Sequence, residues 1–169
     1  MPVRALVVTL KSSGIGDLAG LAGRRVATLE RLALSDVLGR YLLNKAGLRP
    51  GRDLSMQVTP NQNAALLSVL QGSADAAIII EPAYTRASAL IKGKLRVLSR
   101  SREFPHHPIS VAPWVGAALA EKVAKALLAL AATPSGRAMV RRTGWPGFVR
   151  AKPDDYDAAM RRMSEGAGE

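Results

Sequence analysis

The chain has 169 residues, enough for one domain or two small ones with a real core. Hydrophobic residues make up 48% and charged residues 22%, which argues against a disordered chain, a collagen or a coiled coil, and the absence of cysteine excludes disulfides, zinc–thiolate sites and thiol catalysis. Lys and Arg number 24 against 13 Asp and Glu, a net charge of +11 that suits an anionic partner. The basic residues run from Arg4 to Arg162 and are not interleaved with aromatics, only 4% of the chain, so a nucleic-acid stacking surface is not indicated.

Ala5 to Leu10 reads as a strand, followed by a turn at Lys11 to Gly14 and a short helical turn from Ile15 to Ala22 that stops at Gly23. Arg25 to Thr28 is a second strand. A helix from about Ala33 to Ala46 carries Val37, Leu38, Tyr41, Leu42 and Ala46 on one face and ends at Gly47. Leu54 to Val58 is a third strand, and Pro60 opens a helix over Asn61 to Gln71 that stops at Gly72. The unbroken apolar run Ala76 to Ile80 is the mark of a strand buried on both faces. Pro82 starts a helix reaching about Ile91. Leu95 to Leu98 and Ile109 to Ala112 read as short strands. Helices are expected from Val115 to Ala132, Ser135 to Thr143 and Asp154 to Met163, and the last residues from Gly166 fray. Strand and helix alternate through the first hundred residues, which predicts an α/β fold with a mostly parallel sheet and helices on both faces.

The apolar start of the chain lacks the length and cleavage site of a signal segment, and the apolar stretch near Val115 carries Glu121, Lys122 and Lys125, so no membrane insertion is expected. His106 and His107 are adjacent in a loop with no acid nearby, a poor metal set. Asp154, Asp155 and Asp157 suit the N-terminus of the last helix rather than acid–base work. Ser12-Ser13-Gly14-Ile15-Gly16 lacks the spacing of a nucleotide loop, and no nucleophile elbow is present. No catalytic residue, metal site or cofactor is expected.

The strand-to-helix junctions remain. In an open parallel sheet, ligands bind beyond the carboxyl ends of the strands, where helix N-termini present unpaired amides. Three junctions stand out: Leu29 to Ser35, the polar run Thr59-Pro60-Asn61-Gln62-Asn63, and Glu81-Pro82-Ala83-Tyr84. Each also reads as an ordinary helix start, although the second is richer in amides than a single cap requires.

With these junctions in order, the sequence resembles the phosphonate/phosphite-type periplasmic substrate-binding proteins of ABC transporters, in the type 2 periplasmic-binding fold. The likeness is carried by Ser13-Gly14-Ile15 with Leu18 to Ala27, Arg40 to Leu48, Asn63 to Gly72 with Asp75-Ala76-Ala77, Pro108 to Val111, Ala126 to Leu130, Thr133 to Arg137, and Gly147-Phe148-Val149 with Asp155-Tyr156-Asp157. The resemblance implies a solute-binding component that takes a small anionic solute and passes it to permease subunits. It implies a ligand-binding second lobe over 1–112, and helices over 113–169 that would pack on a first lobe, so that the chain reads as truncated. It implies a periplasmic location, against a cytoplasmic one for a chain that starts at Met1 without a leader. The ligand contacts it implies are Ser35, Thr59, Asn61, Gln62, Asn63, Glu81 and Tyr84, with Glu81 suited to an ammonium on a zwitterionic ligand. Of the family's Ser-Thr-Ser run only Ser35 matches, and Gln62 stands where a histidine is common. The same fold also serves sensory and effector-binding modules, an alternative function; nucleic-acid binding is a more distant one.

Overall fold

A computed structural model describes residues 3–105, 108–143, 147–152, 154, 156, 157 and 161. The described residues divide into two compact units, one centred on residues 3–104 and the other on 105–157.

The first unit is a five-stranded sheet with helices on both faces. Its strands are β1 (Ala5–Leu10), β2 (Arg25–Thr28), β3 (Ser55–Val58), β4 (Ala76–Ile80) and β5 (Leu95–Arg100). Its helices are α1 (Leu34–Lys45), α2 (Gln62–Leu70), α3 (Glu81–Arg86) and α4 (Ala89–Lys94). The strand order is β3-β2-β4-β1-β5. β2 runs parallel to β3 and β4, but β1 runs antiparallel to both β4 and β5. The α/β class, the mostly parallel sheet and the helices on both faces hold: β2, β3, β4 and β5 point the same way, and β1 is the strand of the five that runs against them. The Lys11–Arg24 connection from β1 to β2 contains only short 3-10 turns at Lys11–Ser13 and Ala19–Leu21. It has no helical crossover of the kind that joins parallel neighbours.

β4 sits in the centre and is buried on both faces, as its apolar run requires. Alternate residues serve the two sides. Ala77 and Ile79 pack with Leu6, Val8 and Ala27 under α2 residues Ala65, Leu66 and Val69. Ala76 and Ile78 pack with Val7 and Val26 under α1 residues Leu42 and Leu43. α1 comes closest at Gly39, where an added Cβ would run into the Ile78 side chain. A helix-interior glycine, costly for helix propensity, is used here for close approach of helix to strand.

Two expectations change. The helix opened by Pro82 is two helices, because Ala87 and Ser88 leave the helical conformation and the Ser88 Oγ caps the second by accepting from the Ile91 N–H at 3.3 Å. Residues 109–112 form no strand: Ile109 and Val111 are exposed and pair with no neighbour in the sheet.

The second unit holds α5 (Ala117–Leu130) and α6 (Pro134–Thr143). Thr133 caps α6 by accepting from the Gly136 N–H at 3.1 Å. Arg137 donates to the carbonyls of Ala131 and Ala132 just beyond α5, satisfying groups a helix end leaves open. Arg150 makes a two-pronged ion pair with Glu121 of α5, at 2.8 and 3.1 Å, and this hydrogen bonding lowers the Glu121 pKa. The expected helix from Asp154 to Met163 falls largely outside the described residues, as do the frayed terminus and His106 and His107. No described helix is long and apolar enough to cross a membrane.

At the amino end of β4, Asp75 ties three strands together. Its carboxylate accepts from the Arg25 backbone N–H (2.9 Å) and Nε (3.1 Å), its N–H donates to the Arg25 carbonyl (2.8 Å), and its carbonyl accepts from Thr9 Oγ1 (2.7 Å). The Arg25 hydrogen bond holds the Asp75 carboxyl below the usual carboxylate range, against a partial penalty from burial. A carboxyl with a lowered folded-state pKa stabilises the fold above its unfolded pKa and loses that contribution as pH falls through the folded value. Asp75→Asn therefore lowers stability at pH 7 by about 1 kcal/mol, discounted for the solvent exposure of Arg25. Denaturant melts of the two proteins should differ at pH 7 and converge as pH drops well below about 4.

Candidate functional site

The carboxyl ends of the three parallel strands lie side by side, and each leads into a helix: β2 to α1, β3 to α2, β4 directly to α3. One side chain joins all three junctions. Gln62, the first residue of α2, donates through Nε2 to Ser35 Oγ in the first turn of α1 at 3.2 Å. Its Oε1 accepts from the Ile80 backbone N–H at the end of β4 at 3.1 Å. With its acceptor engaged by Ile80 and one amide proton engaged by Ser35, the Gln62 side chain is fixed in orientation. Ser35, 1% exposed, receives that bond on its oxygen, so its hydroxyl proton is directed elsewhere.

The two helix starts differ in a way that bears on anion binding. Asn61 caps α2, its Oδ1 accepting from the Ala64 N–H at 2.9 Å. Ala33 precedes α1 and supplies no side-chain cap. The first-turn amides of α1 thus end beside Ser35 without a capping oxygen, in the arrangement that suits a negatively charged guest.

Thr59 is held to the end of β2: its N–H (2.8 Å) and Oγ1 (3.0 Å) both donate to the Thr28 carbonyl. Asn63 is exposed on the first turn of α2. Glu81 is engaged by cations, its Oε1 accepting from Arg100 Nη1 at 3.1 Å and its Oε2 standing 3.9 Å from Arg4 Nη1. Tyr84 packs, half-buried, against the apolar cluster under α2. Ser35, Gln62 and the β4 terminus are therefore brought together, Thr59 stands on the adjoining strand end, and Asn61 is committed to its cap. A shallow depression of about 280 Å3 opens nearby between the ends of β2 and β3, lined by Leu29, Glu30, Val58, Thr59 and Pro60. It shares only Thr59 with the expected contacts. It is the poorer candidate, because Thr59 is its sole expected contact and exposed Val58 forms part of its wall.

Sequence reasoning missed a buried charge pair directly beneath this site. Asp36, 1% exposed, accepts from Thr28 Oγ1 at 3.1 Å and from Arg40 Nε at 2.7 Å. The pair lies one turn apart on α1, and Asp in a first helical turn also meets the favourable end of the helix dipole. An acid in the first turn with an arginine four residues on was the available signal. Its effect is to tie α1 to the end of β2, so that Ser35 is presented by a rigid turn. No described group of His, Cys, Asp and Glu could hold a metal ion.

This architecture, a five-stranded sheet in the order β3-β2-β4-β1-β5 with helices on both faces, is that of the type 2 periplasmic-binding fold. The family model described as ABC transporter, phosphonate, periplasmic substrate-binding protein matches residues 2–156, and the chain belongs to that family. Solved structures of similar fold include the binding-protein component PA3383 of an ABC phosphonate transporter from Pseudomonas aeruginosa, with TM-score 0.82 and 14% identity, over 98% of this chain and 58% of that one. PhnD1 from Prochlorococcus marinus in complex with methylphosphonate gives 0.78 and 15%, over 97% and 66%. XAC2383 from Xanthomonas citri bound to ATP gives 0.81 and 17%, over 98% and 65%. The chain thus spans less than two thirds of the length of these solved proteins.

Asp36→Ala leaves the Arg40 guanidinium, 18% exposed, without its acceptor and Thr28 without its partner. The expected loss is about 2–4 kcal/mol in chemical denaturation. A loss under about 0.5 kcal/mol would show that the pair does not anchor α1.

Proposed function

We propose that this chain is the solute-binding component of an ABC transporter and that it takes a small oxyanion at the ends of β2, β3 and β4. Ser35, the first-turn amides of α1, and the remaining amide proton of Gln62 are its donors, with Thr59 and Asn63 beside them. The solute is handed unchanged to permease subunits in the periplasm, and no chemistry is done on it. The observation that carries this reading is the Gln62 bridge, which fixes one donor amide and one donor hydroxyl at the meeting point of three strand ends. Oriented neutral donors of this kind favour an acceptor-only ligand and give no advantage to one that must donate. Family membership supports the transport role. The ligands named for two structural relatives, methylphosphonate and ATP, share a tetrahedral phosphorus oxyanion.

The α/β lobe would form one wall of a cleft, with residues beyond about 112 belonging to the surroundings of a further lobe.

Titration of the full chain with inorganic phosphate, phosphite and methylphosphonate, followed by calorimetry or NMR, tests the assignment. Ser35→Ala and Gln62→Ala should each weaken binding by about ten-fold, the cost of one charge-assisted hydrogen bond. Replacing His106 and His107 together with Ala should leave it within about two-fold. A histidine variant that weakens binding more than the Ser35 and Gln62 variants would contradict the assignment.

A further inference from the structure

The charges around Glu81 bear on which oxyanions the chain prefers. Glu81 opens α3 at the carboxyl end of β4, one residue beyond the Ile80 amide that Gln62 engages. β1 is antiparallel to β4 and to β5, so the start of β1 and the end of β5 arrive at the same end of the sheet as the end of β4. They bring Arg4 and Arg100 to either side of Glu81. Arg100 Nη1 donates to Glu81 Oε1 at 3.1 Å, and Arg4 Nη1 stands 3.9 Å from Oε2. Arg4 Nη2 donates in turn to Glu103 Oε1 at 2.6 Å, and the Glu81 N–H donates to the Arg4 carbonyl at 2.8 Å. The result is an alternating row, Glu103–Arg4–Glu81–Arg100, with two charges of each sign.

We infer that Arg4 and Arg100 are specificity-determining residues: with Arg100 hydrogen-bonded to one oxygen of Glu81 and the Arg4 guanidinium 3.9 Å from the other, they disfavour a ligand ammonium there, so the site takes plain oxyanions over aminoalkyl ones. This deepens the function proposed above and rests on it. An ammonium reaching Glu81 would have to displace an arginine that is already paired, or sit near two guanidinium groups of its own sign. It would also lose part of its hydration without an unpaired carboxylate in return. The terminal groups are partly exposed, so the discrimination is several-fold rather than absolute.

The test uses propylphosphonate and 2-aminoethylphosphonate, which match in length and differ by a methyl against an ammonium. In NMR titrations of the full chain, propylphosphonate should bind roughly three-fold or more tighter. In the Arg4→Met, Arg100→Met double variant, whose apolar stems preserve packing, the ratio should move at least about five-fold toward the amino compound. Equal or tighter binding of 2-aminoethylphosphonate by the unaltered chain overturns the inference while leaving the oxyanion site standing, whether or not the double variant folds. Binding of neither compound removes the site on which the inference rests, and the inference with it.

Discussion

Burial of β4 on both faces is the constraint from which the rest of the sheet unit follows. A strand of Ala and Ile with no polar face must be covered from two sides. α1 covers it on one side, approaching closely at Gly39, and α2 covers it on the other through Ala65, Leu66 and Val69. Both helices begin where a parallel strand ends, so covering the two faces brings two helix starts to the same end of the sheet. Gln62 and Ser35 meet there, 27 residues apart in sequence, with the end of β4 between them. The candidate site is thus a by-product of how the core is closed, as expected of ligand sites in open α/β sheets.

The polar ties divide between the two ends of that central strand. Asp75 locks Arg25 and Thr9 at the amino end, away from the proposed site. Asp36 and Gln62 lock the carboxyl end, where the proposed oxyanion site lies. The net charge of +11 does not concentrate at the site. Arg40 is neutralised by Asp36, and Arg4 and Arg100 are shared with Glu81 and Glu103. At the proposed site, an incoming anion would meet a set of oriented dipoles, with the overall positive field contributing to encounter rather than to fit.

Much of this was legible in the sequence, and the reasons for the remainder are specific. The Ala76 to Ile80 run announced a strand buried on both sides, and Pro60-Asn61 with Gly72 marked both ends of α2. The direction of β1 was not legible, because the pattern of a strand is the same whichever way it runs; only the lack of a crossover helix after it distinguishes the case. The break at Ala87-Ser88 turns on a serine that could equally have sat inside a helix. Ile109 and Val111 have strand-forming side chains and no partner in the sheet, which a local pattern cannot reveal. At the site, the residue types were readable and their partners were not. Asn61 was readable as a cap, whereas the Gln62–Ser35 and Glu81–Arg100 pairs are long-range and exist only once the strand order is set.

The central claim is that an oxyanion is held where Ser35, Gln62 and the α1 amides converge. Amide chemical-shift mapping of the full chain during titration with methylphosphonate tests it most directly. The largest shifts are expected at the backbone amides of Leu34, Ser35 and Asp36 and at the Gln62 side-chain amide, saturating with one binding constant. Shifts centred instead on Lys92 to Arg96 or on Arg137 to Arg142, growing without saturation as salt is lowered, would show that the chain attracts anions only through its basic surface.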